Sequence, residues 1–247
     1  MRINSSGNVG IGTSSPDAPL HVVGDLNYTN ALNGNGTITL SSDDYGNAGF
    51  DASPSIVFEA PYSSSTSNTV RIPYAIIEGR KEVTDSGDTS GFLAFSTAVV
   101  SSGGTTERMR IDSAGRVTMP YQPSFDAYVT NSSATFTSTV IIFNGISTHN
   151  IGSHYNTANG RFTAPVAGRY FFTYNAQKNG TLDTDSQTQF QKNGAKLSDS
   201  HVVHTAKANH ASQSVVWQLA ANDYVDVKVV TGTIKGDYTH FSGHLLG

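Results

Sequence analysis

The chain has 247 residues, no cysteine, 14% charged residues and a net charge of −4. Without cysteine there are no disulfides, zinc-thiolate sites or thiol nucleophiles, and an acidic balance with scattered Lys and Arg gives no electrostatic case for a nucleic-acid partner. The charge shortfall against a typical ~25% is filled by Ser, Thr, Asn and Gly, the composition of turn-rich β structure rather than of helices, and no apolar run reaches the ~18 residues of a membrane-spanning helix.

The first element is a hairpin written MRINSSGNV. Ile3 alternates with Met1, so both fall on one face of a strand. Asn4 and Gly7 then break the run, since Asn bonds its own backbone and Gly accepts positive φ, and alternation resumes at Val9 and Ile11. Leu20–Val22 adds a further strand. A strand that opens at Met1 with no upstream partner suggests that the chain is a fragment or that Met1 is an internal position, and no apolar leader marks a signal peptide.

The polar region 23–107 carries expected strands at Thr37–Leu40, Ser55–Phe58, Tyr74–Glu78 and Phe92–Thr97, with expected loops at Tyr62–Asn68 and Ser101–Thr106. At Met109 the opening phrase returns as MRIDSAGRV. Met109, Arg110, Ile111, Ser113, Gly115 and Val117 repeat the first copy, and Asp112 replaces Asn4. The spacing is too long for a solenoid repeat of ~20–50 residues, so the phrase reads as the end of one module. Pro120 and Pro123 then mark a joint. The organisation expected is 1–22 hairpin, 23–107 β-rich middle, 108–123 second phrase and linker, and 124–247 head.

Beyond the joint the period-two pattern sharpens. Tyr170, Phe172 and Tyr174 share one face of a strand. Lys192-Asn193-Gly194-Ala195 is a tight turn between Thr188–Gln191 and Lys196–Ser200, because Asn-Gly supplies the positive φ angles of a two-residue hairpin. Val215, Trp217 and Leu219 alternate, Asn222-Asp223 turns, and Val225, Val227 and Val229 alternate again. About eight strands in this half suit an all-β jelly roll.

These residues resemble the complement C1q globular-head family, trimeric jelly rolls related to tumour necrosis factor. The spacing of Asn150, Tyr155, Phe162, Gly168, Tyr170, Phe172 and Tyr174 carries the resemblance, with Phe125, Ala127, the Lys192–Gly194 turn and the Phe241–Leu246 ending. Phe143 stands one position from the expected Phe, where Asn144 falls, which implies a shifted bulge or loop. The other half resembles tail-fibre and tail-spike proteins of bacteriophages, in Glu107–Asp112 with Gly115 and Val117, and in Gly7–Pro16 followed by Leu20–Val22. No Gly-X-Y stalk precedes the head, which favours the viral fibre over a complement-like role. Together these resemblances imply an all-β homotrimer, a fibre shaft or collar followed by a C1q/TNF-like sandwich, on the virion. Its N-terminal side would join other tail proteins and its head would touch a host-surface glycan or envelope protein. A purely structural collar and a glycan-degrading spike are the alternatives.

No motif announces catalysis. The glycines at 7, 10 and 12 are in the wrong order for a dinucleotide fingerprint and Pro16 and Pro19 leave no helix behind them. Glycosidase chemistry needs two carboxylates across a cleft, and Asp43-Asp44 or Asp183/Asp185 are loop neighbours. The expectation is a binding protein, not an enzyme, with no cofactor. His201 and His204, three apart, fall on opposite faces of a strand and are poor metal partners. Weak metal candidates are Asp183 and Asp185, as a calcium loop, and His244, which the C1q resemblance puts near a trimer axis where an ion could sit.

In a jelly roll alternate connections emerge at one end. Ala164–Gly168, Lys192–Gly194 and Ala220–Asp223 are therefore assigned to the shaft side. The loops Lys178–Asp185, Ala206–His210 and Thr231–Tyr238 face outward and supply the candidate receptor contacts Lys178, Asn179, Asp183, Lys207, Asn209, His210, Lys235, Asp237 and Tyr238.

Overall fold

The hairpin phrase folds as its pattern dictates. In the computed structural model, which describes residues 1–22, 54–61, 71–82, 89–99, 104–179, 185–204 and 210–247, β1 (Arg2–Ile3) pairs antiparallel with β2 (Val9–Ile11), Ile3 opposite Val9. A third strand, β3 (Leu20–Val22), lies parallel to β2. No helix occurs among the described residues.

A five-stranded antiparallel meander follows, made of β4 (Ser55–Pro61), β5 (Arg71–Lys81), β6 (Gly91–Ala98), β7 (Thr105–Ile111) and β8 (Val117–Thr118). Three of the expected strands are present and longer than expected; Thr37–Leu40 and Tyr62–Asn68 lie outside the described residues. The expected loop Ser101–Thr106 is shorter, because Thr105 and Thr106 already pair with Ala98 and Thr97. The second phrase forms β7 and β8 and so closes this sheet, Ile111 opposite Val117. Its turn copies the first. The Asn4 and Asp112 side chains each accept two backbone N–H groups, at 2.9–3.0 Å from Ser6 and Asn8 and at 2.8–3.0 Å from Ala114 and Arg116. Gly7 and Gly115 stand at φ 83° and 79°, where any other residue is strained.

The chain divides into two units, Met1–Met119 and Pro120–Gly247. The second contains β9 (Ser124–Tyr128), β10 (Thr135–Thr137), β11 (Gly145–Ile151), β12 (Tyr155–Asn156), β13 (Arg161–Thr163), β14 (Gly168–Lys178), β15 (Ser186–Lys192), β16 (Ala195–His204), β17 (His210–Leu219), β18 (Tyr224–Thr231) and β19 (Thr233–Leu245). Among the described residues there are thus eleven strands where about eight were expected. The surplus comes from short pieces such as β10 and β12 that carry no alternating signature. One sheet runs β11-β9-β19-β14-β17 with β10 against β19, the other β12-β13-β18-β15-β16. Their non-sequential orders are those of a jelly-roll sandwich.

The inward faces of these sheets hold the core. Gly168, Tyr170, Phe172, Tyr174, Ala176 and Lys178 are all buried, alternating along β14 with exposed or half-buried neighbours. Phe125 stacks on Tyr155 at 4.7 Å and meets Phe241 edge-on at 4.8 Å, and Phe190 meets Tyr174 edge-on at 4.7 Å. Such ring pairs contribute about 0.5–1.5 kcal/mol each beyond area burial. The glycines of the C1q-like signature are steric requirements. A Cβ on Gly168 would lie 2.7 Å from Leu245 Cδ1, and one on Gly243 2.4 Å from Phe172 Cδ1. Phe143 is fully buried while Asn144 is exposed and accepts the Thr130 N–H at 2.9 Å. The one-position offset is taken up just beyond, where the β9–β11 register shifts between Ile146 and Asn150.

Candidate functional site

The two ends of the sandwich have different chemistry. At one end the turns Ala164–Gly168, Lys192–Gly194 and Ala220–Asp223 are knitted together. Asn193 Nδ2 donates to Asp223 Oδ1 at 2.7 Å, Lys192 Nζ lies 2.8 Å from Asp223 Oδ2, and the Ala164 N–H donates to the Asp223 carbonyl at 2.8 Å. Asn193 and Gly194 take φ 53° and 76°, as an Asn-Gly hairpin requires. The Lys192, Asn193 and Ala220 hydrogen bonds pull the Asp223 carboxyl down to about 2. Pro123 and the C-terminus are at this end too, since the Leu245 N–H donates to the Pro123 carbonyl and the Arg169 N–H to the Gly247 carbonyl. This is where the chain enters the sandwich, and its polar groups are spent on one another.

The opposite end gathers residues of β14, β17 and β19. Gln177 lies between His210 on β17 and Lys235 on β19. The His210 and Tyr238 rings meet edge-on at 6.0 Å. Lys235 Nζ stands 3.5 Å from Asp237 Oδ2, half-buried on both sides. The Asn179 N–H, the last described group before residues 180–184, donates to the Thr233 carbonyl at 2.9 Å. The structure thus brings Asn179, His210, Lys235, Asp237 and Tyr238 to one end, away from the incoming chain.

Tyr238 is the salient group there. It is 65% exposed and its φ is 52°, a left-handed conformation that is an outlier for a bulky residue. A register shift between Asn175 and Gln177 against β19 throws this stretch outward. Asn175 Nδ2 donates to the Tyr238 carbonyl, and the Thr239 hydroxyl donates to the Lys235 and Asp237 carbonyls at 2.8 and 3.2 Å. Gly236 permits the fold, because a Cβ there would lie 2.3 Å from the Asn131 carbonyl oxygen. Strain held in place by surrounding bonds around an exposed aromatic is a mark of functional sites.

Other expectations fare differently. Lys178 is no outward contact: it is 4% exposed, in the last inward register position of β14, with its ammonium buried and unpartnered. Asp183, Lys207 and Asn209 lie outside the described residues, and Asp185 is exposed. His201 and His204 stand opposite Gln189 and Ser186 in the backbone register of β15 and β16. His244 is exposed beside Phe171, ring centroids 5.4 Å apart. It lines a cavity of about 420 Å³ with Asp126, His149, Ser124 and Ser242, which sequence reading missed because β9 and β11 are distant in sequence. Among the described residues no three His, Asp or Glu side chains come together to hold a metal. On the outer face of the second sheet, Asp226 is sealed from solvent, with Arg161 Nε 3.3 Å from its Oδ2 and no partner for Oδ1. Burial pushes its carboxyl up, against the Arg161 hydrogen bond.

Comparison with known proteins places this half of the chain. The C1q domain family matches residues 124–246. The mouse protein "Complement C1q tumor necrosis factor-related protein 3" is 33% identical over 103 residues, covering 41% of each chain. The human "Complement C1q and tumor necrosis factor-related protein 9B" is 32% identical over 105 residues, 40% of this chain and 31% of that one. The matches thus span less than half the length of these relatives. A solved globular domain of zebrafish complement 1qA protein aligns with 51% of this chain and 98% of that one at 17% identity, TM-score 0.41. The family match makes residues 124–246 a C1q domain.

Proposed function

We propose that the chain is an extracellular adhesion protein whose C1q domain assembles as a homotrimer and binds a polar surface, glycan or envelope protein, through Asn179, His210, Lys235, Asp237 and Tyr238. The observation that carries this is Tyr238: an exposed, strained aromatic held beside His210 and an ion pair, at the end remote from the incoming chain. An aromatic face with amides and charges around it suits sugar hydroxyls and polar protein surface. Asp183, Lys207 and Asn209 belong to the same outward loops in sequence and are proposed to complete the contact.

The finer placement, the distal part of a bacteriophage tail fibre, rests on the phrases at Gly7–Pro16 and Glu107–Val117 and on the Ser/Thr/Asn-rich composition. The vertebrate relatives speak to the C1q domain alone. The test is binding of the purified full chain to a glycan array, to purified bacterial lipopolysaccharide and to intact bacteria, compared with Lys235→Ala plus Tyr238→Ala. The proposal expects saturable binding to one of these probes and a loss of about tenfold or more in the double variant, equivalent to about 1.4 kcal/mol. Binding that the variant leaves intact would move the site elsewhere, and binding to vertebrate-type glycans with none to bacterial surfaces would remove the tail-fibre placement.

A further inference from the structure

One face of the first unit's sheet carries two uninterrupted apolar rows. By register, Ile56, Ile77, Phe95 and Met109 form a row across β4–β7, and Leu93, Ile111 and Val117 a second row across β6–β8. Phe58 follows Ile56 on the same face. Ile56 is 48%, Phe58 52%, Leu93 38% and Val117 54% exposed. The other face mixes Val57, Ile76 and Phe92 with Glu78, Glu107 and Arg110, with Glu107 Oε2 2.7 Å from Arg110 Nη2 and the guanidinium 3.8 Å over the Phe92 ring. Neither apolar row contains a charge; Lys81 and Arg108 stand at the margins, Arg108 bonded to the Thr97 hydroxyl at 2.9 Å.

Among the described residues this face has no interior to belong to. The buried hydrophobic cluster lies wholly in the second unit, and Ala94 is the one buried hydrophobic residue of the first among the described residues. An apolar patch of this extent is rare on a lone soluble domain. We propose that the β4–β8 face is a second self-association surface, covered by the same face of other copies of this chain. Two observations select that occupant. The two rows carry no charge, with Lys81 and Arg108 only at their margins, so copies of net charge −4 can meet there without like charges opposed across them. The C1q domain follows on the same chain, and copies gathered by one module meet at high effective concentration through the next. The inference rests on the reading that C1q domains gather the copies, and its own contribution is an interface outside that domain.

The absence of cysteine gives a clean test. In the full chain, single variants Val117→Cys and Val57→Cys place one thiol on the apolar face and one on the opposite face, at 54% and 46% exposed valines. Mild oxidation at low micromolar concentration should convert Val117→Cys to covalent dimer at least about fivefold faster than Val57→Cys. Phe58→Lys plus Val117→Lys, both at exposed positions, should lower the native mass or raise the dissociation concentration about tenfold, with Trp217 fluorescence unchanged. Equal or absent cross-linking of the two cysteines in a particle that still has the mass of three copies would overturn the face while leaving the C1q reading intact. A one-copy mass for the unmodified chain would overturn both.

Discussion

Asn193 and Asp223 are joined through their side chains, the amide Nδ2 donating to Oδ1 at 2.7 Å, while the Asn193 Oδ1 accepts the Tyr224 N–H at 2.9 Å. Two turns 30 residues apart in sequence are thereby closed against each other at the end where the chain enters the sandwich. Asp223 is held down to about 2, first by Lys192, then by Asn193 and the Ala220 N–H. A depressed acid contributes stability above its unfolded pKa and loses it as pH falls through the folded value. The thermal midpoint of the C1q domain should therefore fall between about pH 4 and pH 2, and Asp223→Asn should flatten that slope while lowering the midpoint at pH 7. Scanning calorimetry across this range checks it; parallel profiles would contradict it.

Asp226 has the opposite sign. Burial raises its pKa against the Arg161 hydrogen bond, so its effect on stability is most favourable while it is protonated and declines as pH rises through the folded value. Asp226→Asn should lose that decline, leaving a flatter urea-midpoint profile above pH 4 than the unmodified chain. Identical profiles would show that Arg161 fully compensates the charge.

Gly243→Ala puts a methyl against the Phe172 ring, where a Cβ lies 2.4 Å from Cδ1. Overpacking of this kind costs about 1–3 kcal/mol. Urea unfolding followed by Trp217 fluorescence should show a lower midpoint with an unchanged m-value.

Tyr238→Gly separates strain from recognition. Glycine accepts φ 52° freely, and relieving a left-handed non-glycine residue is worth about 1–2 kcal/mol at most, so the variant should be at least as stable as the parent. Its affinity for the glycan or lipopolysaccharide that the parent binds should nonetheless drop about tenfold. A variant that is less stable and binds as before would place Tyr238 in the structure rather than in the contact.

In the repeated hairpin, Asp112→Asn should keep the turn and give up only the Arg116 ion pair, Nε to Oδ2 at 2.6 Å, because Asn4 accepts the same pair of backbone N–H groups in the first copy. Asp112→Ala removes the acceptor of the Ala114 and Arg116 N–H groups, and hydrogen exchange at those amides should quicken. Equal exchange in the two variants would refute the shared turn.

Much of this was legible in the residues, for identifiable reasons. Period-two alternation marked the long strands β14, β17 and β18 because Tyr170, Phe172 and Tyr174, then Val215, Trp217 and Leu219, then Val225, Val227 and Val229 all turn toward the core. Asn-Gly and Asn-Ser-x-Gly announced their turns because few residues tolerate positive φ. The sequence missed what depends on partners far along the chain. Lys178 reads as a loop cation, yet it occupies the inward register set by Tyr174 and Ala176. The left-handed Tyr238 follows from a bulge imposed by β14, and the Asp126–His149–His244 cavity from β9, β11 and β19 meeting. The apolar rows of the first unit's sheet were hidden because they run across strands, not along them.

The central claim is that the C1q domain gathers this chain into threes. Sedimentation equilibrium of the full chain measures it directly. The account predicts a particle of about 79 kDa, three times the 26.2 kDa chain, persisting to low micromolar concentration. A stable species of 26.2 kDa at those concentrations would contradict it.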